Sequence, residues 1–253
     1  IILAELSQTL SLVDKGDKQY TSKISLVAGI TAYLNHNYDV SVRELSRYLN
    51  DEEPTAELVA MLAEGHIRTN NIKAAAQLLE RHESLILDNI QIASLSCDLY
   101  LSSNKVFKCD SLVQQLKQRH GETQNILLLE AKLLNRRNRS KEALSILQTK
   151  LANDKSTDTI LFRVSLLANL GRYEESLKDA QTLLTNTPEN LAYLNLNIDL
   201  FIRLEDFEQA NVLLTKVLQQ DPENLAGLIH QSRIKFSFSD LQGADASIQK
   251  VLT

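Results

Sequence analysis

Glycine and proline are scarce, seven and three among 253 residues, and tryptophan is absent. A sandwich or barrel of strands this long reverses direction many times and needs more of both turn residues. Aromatic residues reach only 5%. With leucine abundant, the composition is that of many short helices. Two cysteines, Cys97 and Cys109, are too few for a disulfide framework or a structural zinc site. No stretch reaches the ~18 uninterrupted apolar residues of a membrane-crossing helix. An excess of positive charge is also missing: the net charge is −5, which argues against a nucleic-acid partner. The phosphate-cradling loop, the dinucleotide fingerprint and the nucleophile elbow do not occur. His36, His66, His82, His120 and His230 are scattered, and none lies one helical turn from another histidine or a cysteine. No catalytic centre, metal or cofactor is therefore expected.

What is present is a hydrophobic fraction of 43%, enough for a folded core, arranged with a long period. The small residues Ser41, Ala75, Cys109, Ala143, Ser176, Ala210 and Ala244 follow one another at 33 or 34 residues. Three residues before most of them stands a larger apolar residue: Tyr38, Ile72, Val106, Tyr173, Phe207 and Leu241, with Ser140 as the exception. Four residues after comes Leu45, Leu79, Val113, Leu147, Ala180, Leu214 or Ile248. That spacing places all three on one stripe of a helix. Twelve residues before each anchor, on an earlier helix, lie Gly29, Ala63, Cys97, Ala131, Val164, Ile198 and Ser232, mostly small as well. Small side chains at a crossing let two antiparallel backbones approach, while larger neighbours fill the grooves. Turns at Asp51–Pro54, Asn186–Asn190 and Asp221–Asn224 close units, with Pro188 and Pro222 stopping the second helices.

The segments NLGRYEESLKDAQTLLTNTPEN (169–190) and RLEDFEQANVLLTKVLQQDPEN (203–224) resemble the tetratricopeptide repeat (TPR) family. The resemblance implies an all-α chain, a right-handed α-solenoid of about seven antiparallel helix pairs, the TPR superhelix. The repeats read as 22–55, 56–89, 90–123, 124–156, 157–190, 191–224 and 225–253, the 124–156 repeat being one residue short. Residues 1–21 read as the second helix of a truncated repeat plus a linker. The chain starts IILAELSQTL and stops in a helical pattern, so it reads as a piece of a longer array.

By the same resemblance, one set of positions on each first helix faces an inner groove. Those singled out as partner-binding are Leu26, Ile30, Tyr33, Glu64, Arg68, Asp98, Lys132, Arg136, Asp199, Arg203 and Arg233. The groove is expected to be apolar at its start and of mixed charge further along, which suits an extended or helical peptide better than a charged polymer. The basic-and-asparagine clamp that co-chaperone members use for a terminal carboxylate is not matched, since Asn195 and Asp199 stand in the reverse order. The run NRRNRSK (135–141) falls at a turn and reads either as a solvated loop or as a holder for an anionic group.

Cys97 and Cys109 occupy the two facing small positions of one repeat. They read either as a disulfide, if the compartment is oxidising, or as two free thiols acting as small spacers. The stretch AYLNHNYDVSVRELSRYLNDEEPTAELVAMLAEGHIRTNNIKAAAQLLE resembles bacterial cell-envelope TPR proteins, specifically the lipoproteins associated with PEP-CTERM sorting and exopolysaccharide production. That implies a periplasmic or outer-membrane-anchored scaffold with a protein or peptide partner. A cytosolic adaptor, or the helical accessory region of an enzyme whose catalytic domain lies elsewhere, stands as the alternative.

Overall fold

The seven anchors and their seven partners should all be buried if helices cross at them, and they are. Ser41, Ala75, Cys109, Ala143, Ser176, Ala210 and Ala244 are shielded from solvent, as are Gly29, Ala63, Cys97, Ala131, Val164, Ile198 and Ser232. The computed structural model describes residues 18–51 and 53–252. Among the described residues there are fifteen helices and no strand. No helix among them is long and apolar enough to cross a membrane.

The helices are α1 (Lys18–Leu34), α2 (Tyr38–Asp51), α3 (Ala56–Arg68), α4 (Ile72–Arg81), α5 (Glu83–Ile86), α6 (Ile90–Ser102), α7 (Val106–His120) and α8 (Gln124–Arg136). They continue as α9 (Ser140–Thr149), α10 (Thr157–Asn169), α11 (Tyr173–Asn186), α12 (Leu191–Arg203), α13 (Phe207–Gln220), α14 (Leu225–Ser237) and α15 (Leu241–Leu252). Two differences from the sequence reading stand out. Residues 18–21, read as linker, belong to α1; the rest of the truncated repeat lies outside the described residues. The second repeat carries an extra short helix, α5, that the plain periodicity does not contain. No proline or glycine follows α4, so the chain turns at His82 and tucks Ile86 into the core instead.

The chain divides into two compact bodies, one up to Leu133 and the other from Leu134. In the first, α1 packs on α2, α3 on α4, and α6 on α7, while α3 and α6, both first helices of a repeat, lie side by side. Its core runs from Val59 and Ala63 through Ala75, Leu79, Ile92, Cys97, Cys109, Val113 and Leu116 to Ile126 and Leu129. Gly29 shows why a small residue is needed at a crossing: a Cβ there would stand 2.6 Å from Leu45 Cδ2 and 3.0 Å from its backbone nitrogen. In the second body each of α9 to α15 packs on the next, and the first helices α12 and α14 also touch. Its core has one cluster around Ile160, Val164, Ala180 and Leu183 and another around Leu194, Ile198, Ala210, Leu214 and Val217.

Helix starts follow side-chain chemistry. Asn89, Asn190 and Asn224 accept hydrogen bonds from the exposed N–H groups of the first turns of α6, α12 and α14, and Thr55 does so for α3. The short repeat has no proline before its next helix. There Asp154 accepts from Ser156 N and Oγ and from Thr159 Oγ1 at 2.7 Å, ordering the entry to α10.

The turns inside the pairs share a device that the sequence reading did not identify. His36, Asn70, Asn104, Asn138, Gly171, Glu205 and Ser239 all have φ between 57° and 74°, and each stands five residues before an anchor. The next N–H reaches back to the helix, as from Asn71 to His66 O at 2.7 Å and from Asp206 to Phe201 O at 2.9 Å. This left-handed C-terminal cap satisfies carbonyls that the helix leaves open. Asn and Gly adopt it readily, whereas glutamate at Glu205 carries a cost of about 1–2 kcal/mol. Glu205→Gly is therefore expected to raise stability by about 0.5–1 kcal/mol, net of the flexibility glycine adds to the unfolded chain. A urea titration checks it; an unchanged or lowered midpoint contradicts the reading of this turn.

Candidate functional site

The positions that the family resemblance assigns to partner binding lie on the first helices of the repeats. In the N-terminal body, Leu26 and Ile30 on α1 are only half-exposed and lean against Leu45, Leu58 and Leu62. Tyr33, a turn further on, donates its hydroxyl hydrogen bond to Glu64 Oε2 of α3 at 2.5 Å. Burial and this bond to a carboxylate push the Tyr33 phenol above its ordinary range. Glu64 also accepts from Arg68 at 3.3 Å, and the Arg68 guanidinium lies 5.9 Å from the centre of the Tyr38 ring. Tyr38 meets Tyr33 edge-on, with ring centres 5.9 Å apart. Four side chains from α1, α2 and α3 thus form one network. Asp98 of α6 forms a separate pair with Lys132 of α8, at 2.9 and 3.1 Å.

In the C-terminal body, Asp199 of α12 is the node. It accepts from Arg203 on its own helix and from Arg233 on α14, both at 2.6 Å. Burial alone would raise its carboxyl, but the bonds and charges of the two guanidinium groups outweigh that and hold it below the usual range. Arg203 in turn lies 5.6 Å from the centre of the Tyr173 ring. Beneath this cluster His230 is 8% exposed, its Nδ1 without a hydrogen-bond partner, and burial lowers its pKa. Asn195 donates to Asn224 Oδ1 at 3.1 Å, while its own Oδ1 is buried without a partner. Arg136, at the end of α8, is exposed.

The structure therefore brings together three sets among the eleven residues: Tyr33 with Glu64 and Arg68, Asp98 with Lys132, and Asp199 with Arg203 and Arg233. Leu26 and Ile30 join a core, and Arg136 stands apart from these sets. Two of the pairs, Asp98–Lys132 and Asp199–Arg233, span 34 residues, one repeat length. Equivalent positions on adjacent first helices thus stand side by side. Sequence reasoning did not identify Tyr38, Tyr173 and His230 as members. The two tyrosines were visible only as large apolar residues of the second helices, and His230 carries no signal in its spacing.

In the basic turn NRRNRSK, Arg139 forms a two-point bond to Glu142 with both distances 2.6 Å, and Asn135 accepts from Ser140 at 2.8 Å. The charge of Arg139, one of the four cations of this run, is thus used to order the start of α9. Among the described residues, no group of three or more His, Cys, Asp or Glu stands close enough to hold a metal ion.

The family described as the coatomer epsilon subunit matches residues 94–239, more than half of the chain. No curated protein matches it. Several solved structures share its fold. A tetratricopeptide repeat protein from Parabacteroides merdae aligns at 17% identity with a TM-score of 0.59, covering 91% of this chain and 92% of that one. A thermophilic TPR protein from Thermus thermophilus aligns at 14% identity and TM-score 0.61, covering 72% and 98%. A human IFIT1 dimer solved with PPP-AAAA aligns at 11% identity and TM-score 0.61, over 89% of this chain and 58% of that one. At these identities the likeness establishes the fold, which is of the tetratricopeptide type.

Proposed function

We propose that this chain, which belongs to the coatomer epsilon subunit family, is a non-enzymatic scaffold that takes a protein or peptide partner on its first helices. The observation that carries the reading is the register of Asp98–Lys132 in the first body and of Asp199–Arg233 in the second, each of which sets charged positions of two neighbouring first helices side by side. Each such half-exposed pair is worth only about 0–1 kcal/mol, so a polypeptide with its own charges can exchange into it at little cost. A polyanion needs uncompensated cations, and here Lys132, Arg203 and Arg233 are already held by carboxylates. The PPP-AAAA in the IFIT1 structure keeps nucleic acid as the competing outcome, against which the net charge of −5 weighs. Membership of a family named as a subunit supports a protein neighbour in an assembly.

The test is quantitative pull-down with wild type against Glu64→Ala/Asp98→Ala/Lys132→Ala, with Phe107→Ala as a control on a second helix, where the ring is 87% exposed. Binding to the triple variant is expected to weaken about tenfold or more at unchanged helical circular dichroism, and the control is expected to bind normally. Full retention of every partner by the triple variant removes this reading. The finer placement, an exported envelope scaffold serving exopolysaccharide export or protein sorting, is supported by the resemblance of residues 32–80 alone. Recovery of the full-length protein in the cytosolic fraction of its own cell removes that placement.

A further inference from the structure

The crossing positions of the seven helix pairs are filled by Gly29 and Ser41, Ala63 and Ala75, Cys97 and Cys109, Ala131 and Ala143, Val164 and Ser176, Ile198 and Ala210, and Ser232 and Ala244. One of these pairs places two groups together that can form a covalent bond. Cys109 Sγ donates to Cys97 Sγ at 2.9 Å, and both residues are fully buried in the core of the N-terminal body. A disulfide is 2.03–2.05 Å long, so a small closing movement of the two side chains joins them. Both residues are reduced in the structure.

We propose that Cys97 and Cys109 form an intrachain disulfide that clamps α6 to α7, closed by thiol–disulfide exchange before the pair has packed. One cysteine thiolate attacks an external disulfide, of a small molecule such as oxidised glutathione or of an oxidoreductase, forming a mixed disulfide and releasing one thiolate. The second cysteine thiolate then attacks the protein sulfur of that mixed disulfide and releases the other. Two electrons pass from the cysteine pair to the external disulfide, which leaves as two thiols after taking up the two protons. Attack requires a thiolate that can reach its target. In the packed state both thiols are sealed, and the bond from Cys109, together with burial, pushes the Cys97 thiol far above its ordinary range. The exchange therefore belongs to the open pair, during folding or local opening, and the closed pair protects whichever state it encloses.

The experiment refolds the full chain from denaturant with oxidised glutathione, then unfolds it without reductant and alkylates. The proposal expects no alkylatable thiol, a mass lower by two hydrogens, a linked peptide holding Cys97 and Cys109, and an unfolding midpoint that drops on reduction. Cys97→Ala/Cys109→Ala, which copies the Ala63 and Ala75 crossing, should fold and show no dependence on reductant. Cys109→Ala should instead carry glutathione on Cys97, which establishes that the oxidant was active. Two free thiols in natively folded wild type beside a glutathionylated Cys109→Ala overturn the proposal, as does a bridge found only between chains. Oxidation of the folded, reduced chain as fast as the unfolded one overturns the order of events.

Discussion

Ile198→Ala is expected to lower the stability of the C-terminal body by about 2–5 kcal/mol, read as a fall in the urea midpoint. Ile198 is 0% exposed and sits in a cluster with Leu194, Leu214, Val217 and Ile234, opposite Ala210 at its crossing. Most other repeats place a smaller residue there, so this pair divides the space unequally, large on the first helix and small on the second. Truncation removes the transfer energy of the side chain and leaves a cavity that only a shift of both helices could fill. The lower end of the range corresponds to α12 and α13 closing to the spacing of an Ala–Ala pair, the upper end to their staying apart. In a repeat array each pair is stabilised by its neighbours, so the loss should also lower protection from amide exchange in α14 and α15. A change below about 0.5 kcal/mol would mean that the crossing does not bear on stability, and the account of the repeat would fail with it.

Asp179→Ala is expected to cost about 1–3 kcal/mol through a different mechanism. Arg163 of α10 and Asp179 of α11 face each other inside one pair, with Nε–Oδ2 at 2.6 Å and Nη2–Oδ1 at 3.0 Å. Their side chains are 18% and 19% exposed, so this two-point bond is largely withdrawn from water. Removing the carboxylate leaves a guanidinium that is mostly buried and lacks its counter-charge. Replacing both, as Arg163→Met/Asp179→Leu, should recover most of the loss, because an apolar pair of similar volume avoids the desolvation altogether. A double-mutant cycle by chemical denaturation separates the coupling from the packing. If the single and double variants are equally destabilised, the ion pair is not the cause. The exposed pairs Arg139–Glu142 and Arg172–Glu175 have equally short bonds but give up little by comparison, since water screens them.

The helix pairs were legible because their cause is local and repeated. A small residue every 33 or 34 positions, a larger one three before it and an apolar one four after it define a stripe on each second helix. The asparagines before α6, α12 and α14 mark starts by chemistry that belongs to single residues. The left-handed turn was only half legible. Asn70, Asn104, Asn138 and Gly171 suit it, but His36, Glu205 and Ser239 do not announce it, and are held there by the cap geometry of the helix before them. The short helix α5 was hidden for a similar reason: it replaces a turn signal that is absent, and the burial of Ile86 is what settles it.

The candidate site divides along the same line. Which positions are equivalent from one repeat to the next followed from the repeat length, a property of the chain alone, whereas the choice of the partner-binding positions came from the family resemblance. Which side chains meet followed from neither, because Asp199 chooses Arg203 and Arg233 together, and Tyr33 reaches Glu64, through distances between separate helices. Periodicity along the chain thus determined the fold and the register of its repeats. The pairing of charges, the burial of His230 and the closeness of the two cysteine sulfurs were decided only once the helices packed, since each depends on offsets of an ångström or so between backbones far apart in sequence.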